Sequence, residues 1–193
     1  MIGRHLLGSL ALALLTATSL GAQSAPLRTV TFDAGLGGGH ASGNCENCIP
    51  HGASAASGFL RLGRVITPEL IASLEWARWS RPQFGSQSRF DFLTVGAQWY
   101  PISGSGFSMR YAMGYGKSSY AQMVDPSVYR TERSGFAYNA GAGYDVRVSD
   151  RIIVGPFATV NSIAKGEARV NGQVAPYEVS TGLIQYGLSV GLR

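Results

Sequence analysis

The segment Gly106–Lys117, reading G-F-S-M-R-Y-A-M-G-Y-G-K, restricts the possible folds more than any other stretch of the chain. Phe107, Met109, Tyr111, Met113 and Tyr115 fall on one side of a period-two alternation. Ser108, Arg110, Ala112, Gly114 and Gly116 fall on the other. That is the pattern of a strand with two unlike faces. The chemistry of the faces is the reverse of a soluble sheet. The bulky apolar face suits hydrocarbon, and the small face, with its single charge, suits a narrow and crowded interior. A transmembrane strand needs roughly 9–11 residues, which this segment supplies.

The same device recurs along the chain. Thr29–Leu36 carries Val30, Phe32, Ala34 and Leu36 on one face, and Gly58–Val65 directs Leu60 and Leu62 outward with Arg61 and Gly63 inward. Leu70–Trp79 places Leu70, Ala72, Leu74 and Trp76 outside and Ser73 and Glu75 inside. Phe90–Trp99, Phe136–Val146, Ile152–Val160 and the segment Ile184–Leu192 repeat the alternation, giving eight strands. The connections alternate in length. Thr67-Pro68-Glu69, Pro101–Ser105 and Ser149-Asp150 are short turns. Gly37–Ser57, Ser80–Ser88, Ser118–Ser134 and the link before the last strand are longer and read as loops. An even strand number with short turns on one side and long links on the other predicts an all-β, eight-stranded antiparallel up-and-down transmembrane β-barrel. Closure is required, because an open sheet edge in lipid leaves backbone groups unpaired at a cost of about several kcal/mol each.

Two details refine this expectation. Trp99, Phe107 and Tyr144 gather near one interface and Trp76, Tyr115 and Phe136 near the other, as two aromatic girdles. Asn171-Gly172 is a strong type I′ hairpin signal midway through the last long link, so the final two strands can continue past the membrane as one hairpin. Pairing Val170 with Gln173 conflicts with the even-numbered outward faces of those strands, which calls for one bulge near Gly166, Pro176 or Gly182. Pro156 lacks an amide donor and is expected at a bulge beside Gly155.

Composition agrees. Gly numbers 26 and charged residues make up only 14 % of the chain, which favours Gly-rich β-structure over helices. The only long apolar run is N-terminal. Arg4 and His5, then Leu6–Leu15, then the small residues Thr16–Ala22, read as a signal peptide (1–22) cleaved after Ala22, with the barrel domain at 23–193. Its removal takes away Arg4 alone and leaves 15 basic against 11 acidic residues, +4. The scattered arginines lack the clustering that marks nucleic-acid binding.

The candidate site residues follow from the inward face. Asp33, Arg61, Glu75, Arg110, Asp145 and Arg147 are the expected interior charges. An eight-stranded barrel has room inside for side chains only, so these charges must pair as a salt-bridge plug, centred on Glu75 with Arg61 and Arg110. The first long link holds His40, Cys45, Cys48 and His51. Export into an oxidising compartment favours a Cys45–Cys48 disulfide, and a Cys2His2 metal site is the alternative. Serine hydrolysis usually needs a histidine beside the nucleophile. Beyond the leader the only histidines are His40 and His51, both expected in that loop and none on a strand, which argues against a lipid-facing catalytic site. No cofactor is implied.

The segments G-F-L-R-L-G at 58–63, F-L-T-V-G-A-Q-W-Y-P at 92–101, F-A-Y-N-A-G-A-G-Y at 136–144 and Y-G-L-S-V-G-L-R at 186–193 resemble the small outer-membrane barrels of the outer-membrane protein A, outer-membrane protein X and opacity-protein type. The resemblance covers 29–193 and rests on pattern. It implies a monomeric, non-enzymatic barrel of the bacterial outer membrane, exported through the periplasm, with a structural or adhesive role played by external loops. It implies contact with outer-membrane lipid and lipopolysaccharide, with the insertion machinery and with an extracellular partner. Members usually end on an aromatic residue read by that machinery, whereas Leu192-Arg193 here implies a weakened signal. The alternatives are a lipid-modifying barrel enzyme, of lipid A deacylase or acyltransferase type, and a soluble lipocalin-like ligand-binding barrel.

Overall fold

The computed structural model describes residues 30–43, 52–124, 127–166, 168–174 and 179–193. The signal segment, Cys45, Cys48 and His51 lie outside the described residues. The strands are β1 Val30–Gly43, β2 Ala53–Thr67, β3 Leu70–Gln83, β4 Ser86–Trp99, β5 Phe107–Val124, β6 Ser127–Tyr144, β7 Val146–Arg147, β8 Ile152–Gly166, β9 Ala168–Val170, β10 Gln173–Val174 and β11 Val179–Leu192. β7 continues the line of β6, β9 that of β8, and β10 that of β11, so the barrel has eight staves. Each stave pairs antiparallel with its sequence neighbour, β11 pairs with β1, and β6 pairs with β8, which closes the sheet. Closure leaves no edge within the apolar zone.

The outside of the barrel carries a continuous apolar band. Leu36, Leu62, Val95, Met113, Tyr138, Tyr186 and Leu188 are all exposed. The inside carries Asp33, Arg61, Glu75, Thr94, Gln98, Arg110, Asn139 and Gln185, all buried. No helix among the described residues is long and apolar enough to cross a membrane.

Three of the expected long links are strands over much of their length. β1 and β2 run to Gly43 and from Ala53 across most of the expected loop 37–57. β3 and β4 meet at a two-residue turn, Phe84-Gly85, with Gly85 at φ +72°. β5 and β6 pair up to Val124 and Ser127. The small residues that suggest loops have a packing cause. A Cβ on Gly39 would come within 2.7 Å of Trp79 Cδ1, and one on Gly35 would overlap the Phe59 ring. Both glycines leave space for large side chains reaching inward from other strands.

The Asn171-Gly172 hairpin forms as expected, with φ of +49° and +85° at the two residues and Val170 opposite Gln173. The bulge it requires lies between Val179 and Thr181, across from Ile163 and Gly166. Pro156 is a correction. It pairs in regular register with Leu188, with no bulge. The missing donor faces β6 instead, where the ladder is interrupted between Gly143↔Phe157 and Val146↔Val154 with no change of register. A gap in one ladder accommodates proline without bending the strand.

Candidate functional site

The lower half of the interior is a hydrogen-bonded ionic network. Register places Arg61 between Asp33 and Glu75, and Gln98 opposite Arg110. Glu75 Oε2 accepts from Arg61 Nε at 2.9 Å and from Arg110 Nη1 at 2.8 Å. Arg61 Nη1 donates to Gln98 Oε1 at 3.0 Å, and Arg110 Nη2 donates to Thr159 Oγ1 at 2.7 Å. Asp33 Oδ2 lies 3.8 Å from Arg61 Nη1. Both guanidiniums also sit against the Phe59 ring, at 4.5 and 5.1 Å from its centroid. One carboxylate shared by two arginines and backed by amides satisfies most of the charge that burial exposes to low dielectric. A cavity of about 20 Å³ beside Arg61, Arg110, Asp33 and Asp145 has room for one water.

Asp145 belongs to a second cluster at the lower rim. Tyr100 Oη donates to Asp145 Oδ2 at 2.6 Å and accepts from Gln98 Nε2 at 2.8 Å. Arg193 Nη2 donates to Tyr100 Oη at 2.8 Å and to Asp145 at 3.2 Å, while Nη1 reaches Asp33 at 3.2 Å. Burial, and then the neighbouring Asp145 carboxylate, push the Tyr100 phenol well above its usual pKa, so it stays a donor. Arg147 departs from expectation. It keeps the inward register, opposite Ile153, but is exposed, because the barrel mouth opens to water at that level. Inward parity alone points to Gln98, Thr94, Asn139 and Thr159. Tyr100 and Arg193 lie beyond the strand ends, where alternation gives no signal.

The upper half of the interior is apolar. Trp79, Phe90, Phe92, Ile163 and Leu183 are fully buried, with Ala41, Ala53, Ala77 and Ala137 between them. The Trp79 and Phe90 rings meet edge to face at 5.5 Å, and Trp79 Nε1 donates to Gly39 O at 3.0 Å. Arg133 enters this region and donates to Ala164 O at 2.7 Å.

On the outside, His40 lies on β1 rather than in a loop, which corrects the expectation that no histidine occupies a strand. Its Nδ1 is 3.0 Å from Ser54 Oγ, directly across the β1–β2 ladder, and both residues are exposed. At the outer tips, Phe84 is fully exposed and Met123 is 76 % exposed. The two hairpins that carry them are joined by Met123 N donating to Gly85 O at 2.8 Å.

Closed eight-stave pairing, an apolar exterior and a polar, side-chain-filled interior decide the architecture. The fold is that of the small outer-membrane β-barrels. Ail, the attachment invasion locus protein of Yersinia pestis, superposes with a TM-score of 0.59 at 9 % identity, over 86 % of this chain and 99 % of Ail. Neisserial surface protein A superposes at 0.55 and 14 % identity, over 86 % of this chain and 97 % of its own. OprG from Pseudomonas aeruginosa superposes at 0.50 and 12 % identity, over 88 % and 98 %. At these identities the likeness is one of fold. No protein-family model matches the chain, and no curated protein matches its sequence. The site assignments for this barrel therefore come from its own residues.

Proposed function

We propose that this chain is a non-enzymatic barrel of the bacterial outer membrane that contacts extracellular partners through its projecting hairpins. In this reading it is exported through the periplasm, loses residues 1–22, is seated by the outer-membrane insertion machinery and works as a monomer. The observation that carries the adhesive role is the pair of exposed apolar side chains, Phe84 and Met123, on two hairpins tied tip to tip. A turn normally carries Gly, Asn, Asp or Ser, so a fully exposed Phe there has no folding rationale. A filled interior and regular stave pairing support a scaffold over a conduit.

The test has two parts. The outer-membrane fraction should contain a band whose gel mobility shifts on boiling, with an intact mass beginning at Gln23 and no thiol adduct at Cys45 or Cys48 without reductant. Cells producing the chain should adhere to immobilised matrix glycoproteins at least several-fold better than cells producing Phe84→Ser/Met123→Ser. Equal adhesion by both would remove the adhesive role and leave the membrane assignment standing.

One observation favours a second reading, a lipid-modifying enzyme. The His40–Ser54 pair sets an imidazole against a hydroxyl on the outer face of the barrel. Among the described residues no carboxylate hydrogen-bonds the imidazole, so the third member of a triad has no counterpart there. Release of fatty acid from lipid A or phospholipid, lost in His40→Ala and in Ser54→Ala, would establish this reading.

A further inference from the structure

The seam where β1 meets β11 is unlike every other junction in the wall. All other neighbouring staves follow one another in sequence, so the connection between them limits their register. At the seam Phe32 and Leu192 are partners with the rest of the barrel between them. Its inner face pairs Asp33 with Gly191, Gly35 with Ser189, Gly37 with Gly187 and Gly39 with Gln185. A Cβ on Gly37 would overlap Tyr186 O, and one on Gly187 would overlap Leu36 O, so the two backbones come close there. That fit does not choose one register. After a slip of two residues in either direction, Gly187 meets Gly35 or Gly39 in place of Gly37. Such a slip also returns every side chain to its own face, and Gly-rich strands specify register weakly. On the outside Ala34 would meet Leu188 or Leu192 in place of Val190, which is apolar against apolar in each case.

Two contacts do mark the register. On the outer face the Tyr186 ring lies over Gly38, where a Cβ would stand 3.1 Å from Oη. Inside and lower down, Arg193 reaches into the mouth. Its Nη1 donates to Asp33 Oδ2 at 3.2 Å, across the seam. Its Nη2 donates to Tyr100 Oη at 2.8 Å and to Asp145 Oδ2 at 3.2 Å. Tyr100 and Asp145 follow β4 and β6, neither of which borders the seam. The backbone that carries this side chain is held as well, with Arg193 N donating to Arg151 O at 3.0 Å. A two-residue slip moves the guanidinium by about 6.6 Å along the strand, roughly twice the length of these bonds. It separates charges that burial has already stripped of water.

We propose that Arg193 is the register key of the barrel. Its guanidinium, held by Asp33, Tyr100 and Asp145, selects one alignment of β11 against β1 from those that the glycine-lined seam accepts. Stagger, strand tilt and diameter are linked in a closed barrel, so that choice also sets the width of the interior. Arg193 is thus a positioning residue for the Glu75, Arg61 and Arg110 network. The inference goes beyond the adhesive reading and stands on the closed barrel alone.

The experiment uses the full chain with Cys45→Ser/Cys48→Ser, folded into lipid vesicles. A disulfide needs Cα atoms within about 7 Å, so directly opposite residues are bridged and those two positions off are not. Ala34→Cys with Val190→Cys reports the observed register, and Ala34→Cys with Leu188→Cys or with Leu192→Cys reports the two slipped ones. Mild oxidation, digestion and peptide mass spectrometry give the bridged fraction of each. With Arg193 present the bridge to position 190 should dominate. Arg193→Ala should raise the slipped bridges about tenfold, and Arg193→Lys, which keeps a cation, should fall between. Arg64→Gln, a lower-rim cation outside the cluster, should change nothing. Unboiled gel mobility confirms that each variant is folded, and if Arg193→Ala does not fold, Arg193→Lys and Asp33→Asn carry the same test. An unchanged bridging pattern without Arg193 overturns the proposal. If conductance then rises while the bridge to position 190 is intact, Arg193 is a plug of the lower mouth instead. Slippage in Tyr186→Ala but not in Arg193→Ala assigns the register to the outer face and overturns it too. None of these outcomes bears on adhesion through Phe84 and Met123.

Discussion

The lower and upper interiors of this barrel are built from the same strands with the same inward parity, yet they are filled with opposite chemistry. Below, the space is taken by Arg61, Glu75, Arg110, Gln98 and Asn139. Above, it is taken by Trp79, Phe90, Phe92, Ile163 and Leu183. What differs is the medium outside the wall. Where the wall faces hydrocarbon, moving an apolar side chain inward gains no transfer free energy, since lipid tails are equally apolar. Polar side chains can then fill the interior, provided they satisfy one another. Where the wall faces water, the hydrophobic effect returns and draws the aromatic side chains inside. Phe59 marks the border, with two guanidiniums on its ring and Phe157 edge-on at 4.9 Å.

The two largest effects are of similar size, and the first comes from breaking the lower half at its shared carboxylate. Glu75→Leu leaves two buried guanidiniums without their anion and should cost about 3–5 kcal/mol, read as a lower midpoint of urea unfolding from lipid vesicles. Adding Arg61→Met and Arg110→Met should restore much of that loss, because an all-apolar filling removes the unpaired charge. If the triple variant is no better than the single one, the lower interior is held by something other than mutual satisfaction.

The upper half should behave as an ordinary core. Trp79→Ala opens a cavity and should cost about 3–5 kcal/mol, while Trp79→Phe should cost less and lose mainly the bond to Gly39 O. A loss under about 1 kcal/mol for Trp79→Ala would erase the contrast between the halves.

The rim cluster gives a smaller effect, set by pH. The folded phenol of Tyr100 holds its proton to higher pH than the same group in the unfolded chain. Above about pH 10 the unfolded chain therefore binds fewer protons, and stability falls as pH rises. Tyr100→Phe should flatten that alkaline decline and leave the neutral-to-acid dependence unchanged. The smallest effect belongs to the water-facing pair Arg78–Asp91. A double-mutant cycle there should give about 0.2–1 kcal/mol, reduced by salt.

Much of the lower half is legible in the sequence because its rule is simple alternation. Glu75, Arg61 and Arg110 fall on inward positions, and no other filling of a narrow interior lets them coexist. The Asn171-Gly172 turn is legible because two consecutive positive φ values favour those residues. The upper half is harder to read. Phe90 and Phe92 keep the inward parity, but a pattern learned from a wall in lipid assigns bulky groups outward. Gly35 and Gly39 look like loop residues until the rings of Phe59 and Trp79, distant in sequence, account for the space. The ladder gap at Pro156 depends on which neighbour faces its missing donor, which composition does not encode.

β5 and β6 are each 18 residues long. At a rise of about 3.3 Å per residue and a tilt near 40°, such strands stand about 45 Å tall, against an apolar band of about 25 Å. Roughly 20 Å of paired strand therefore rises clear of the bilayer, stiffened by its aromatic filling. That stem works as a ruler. On the adhesive reading proposed above, it would hold Met123 and the neighbouring Phe84 turn at one height beyond the apolar band, so that a partner is selected by depth as well as by chemistry. Because the stem is already ordered, little conformational entropy is lost on contact.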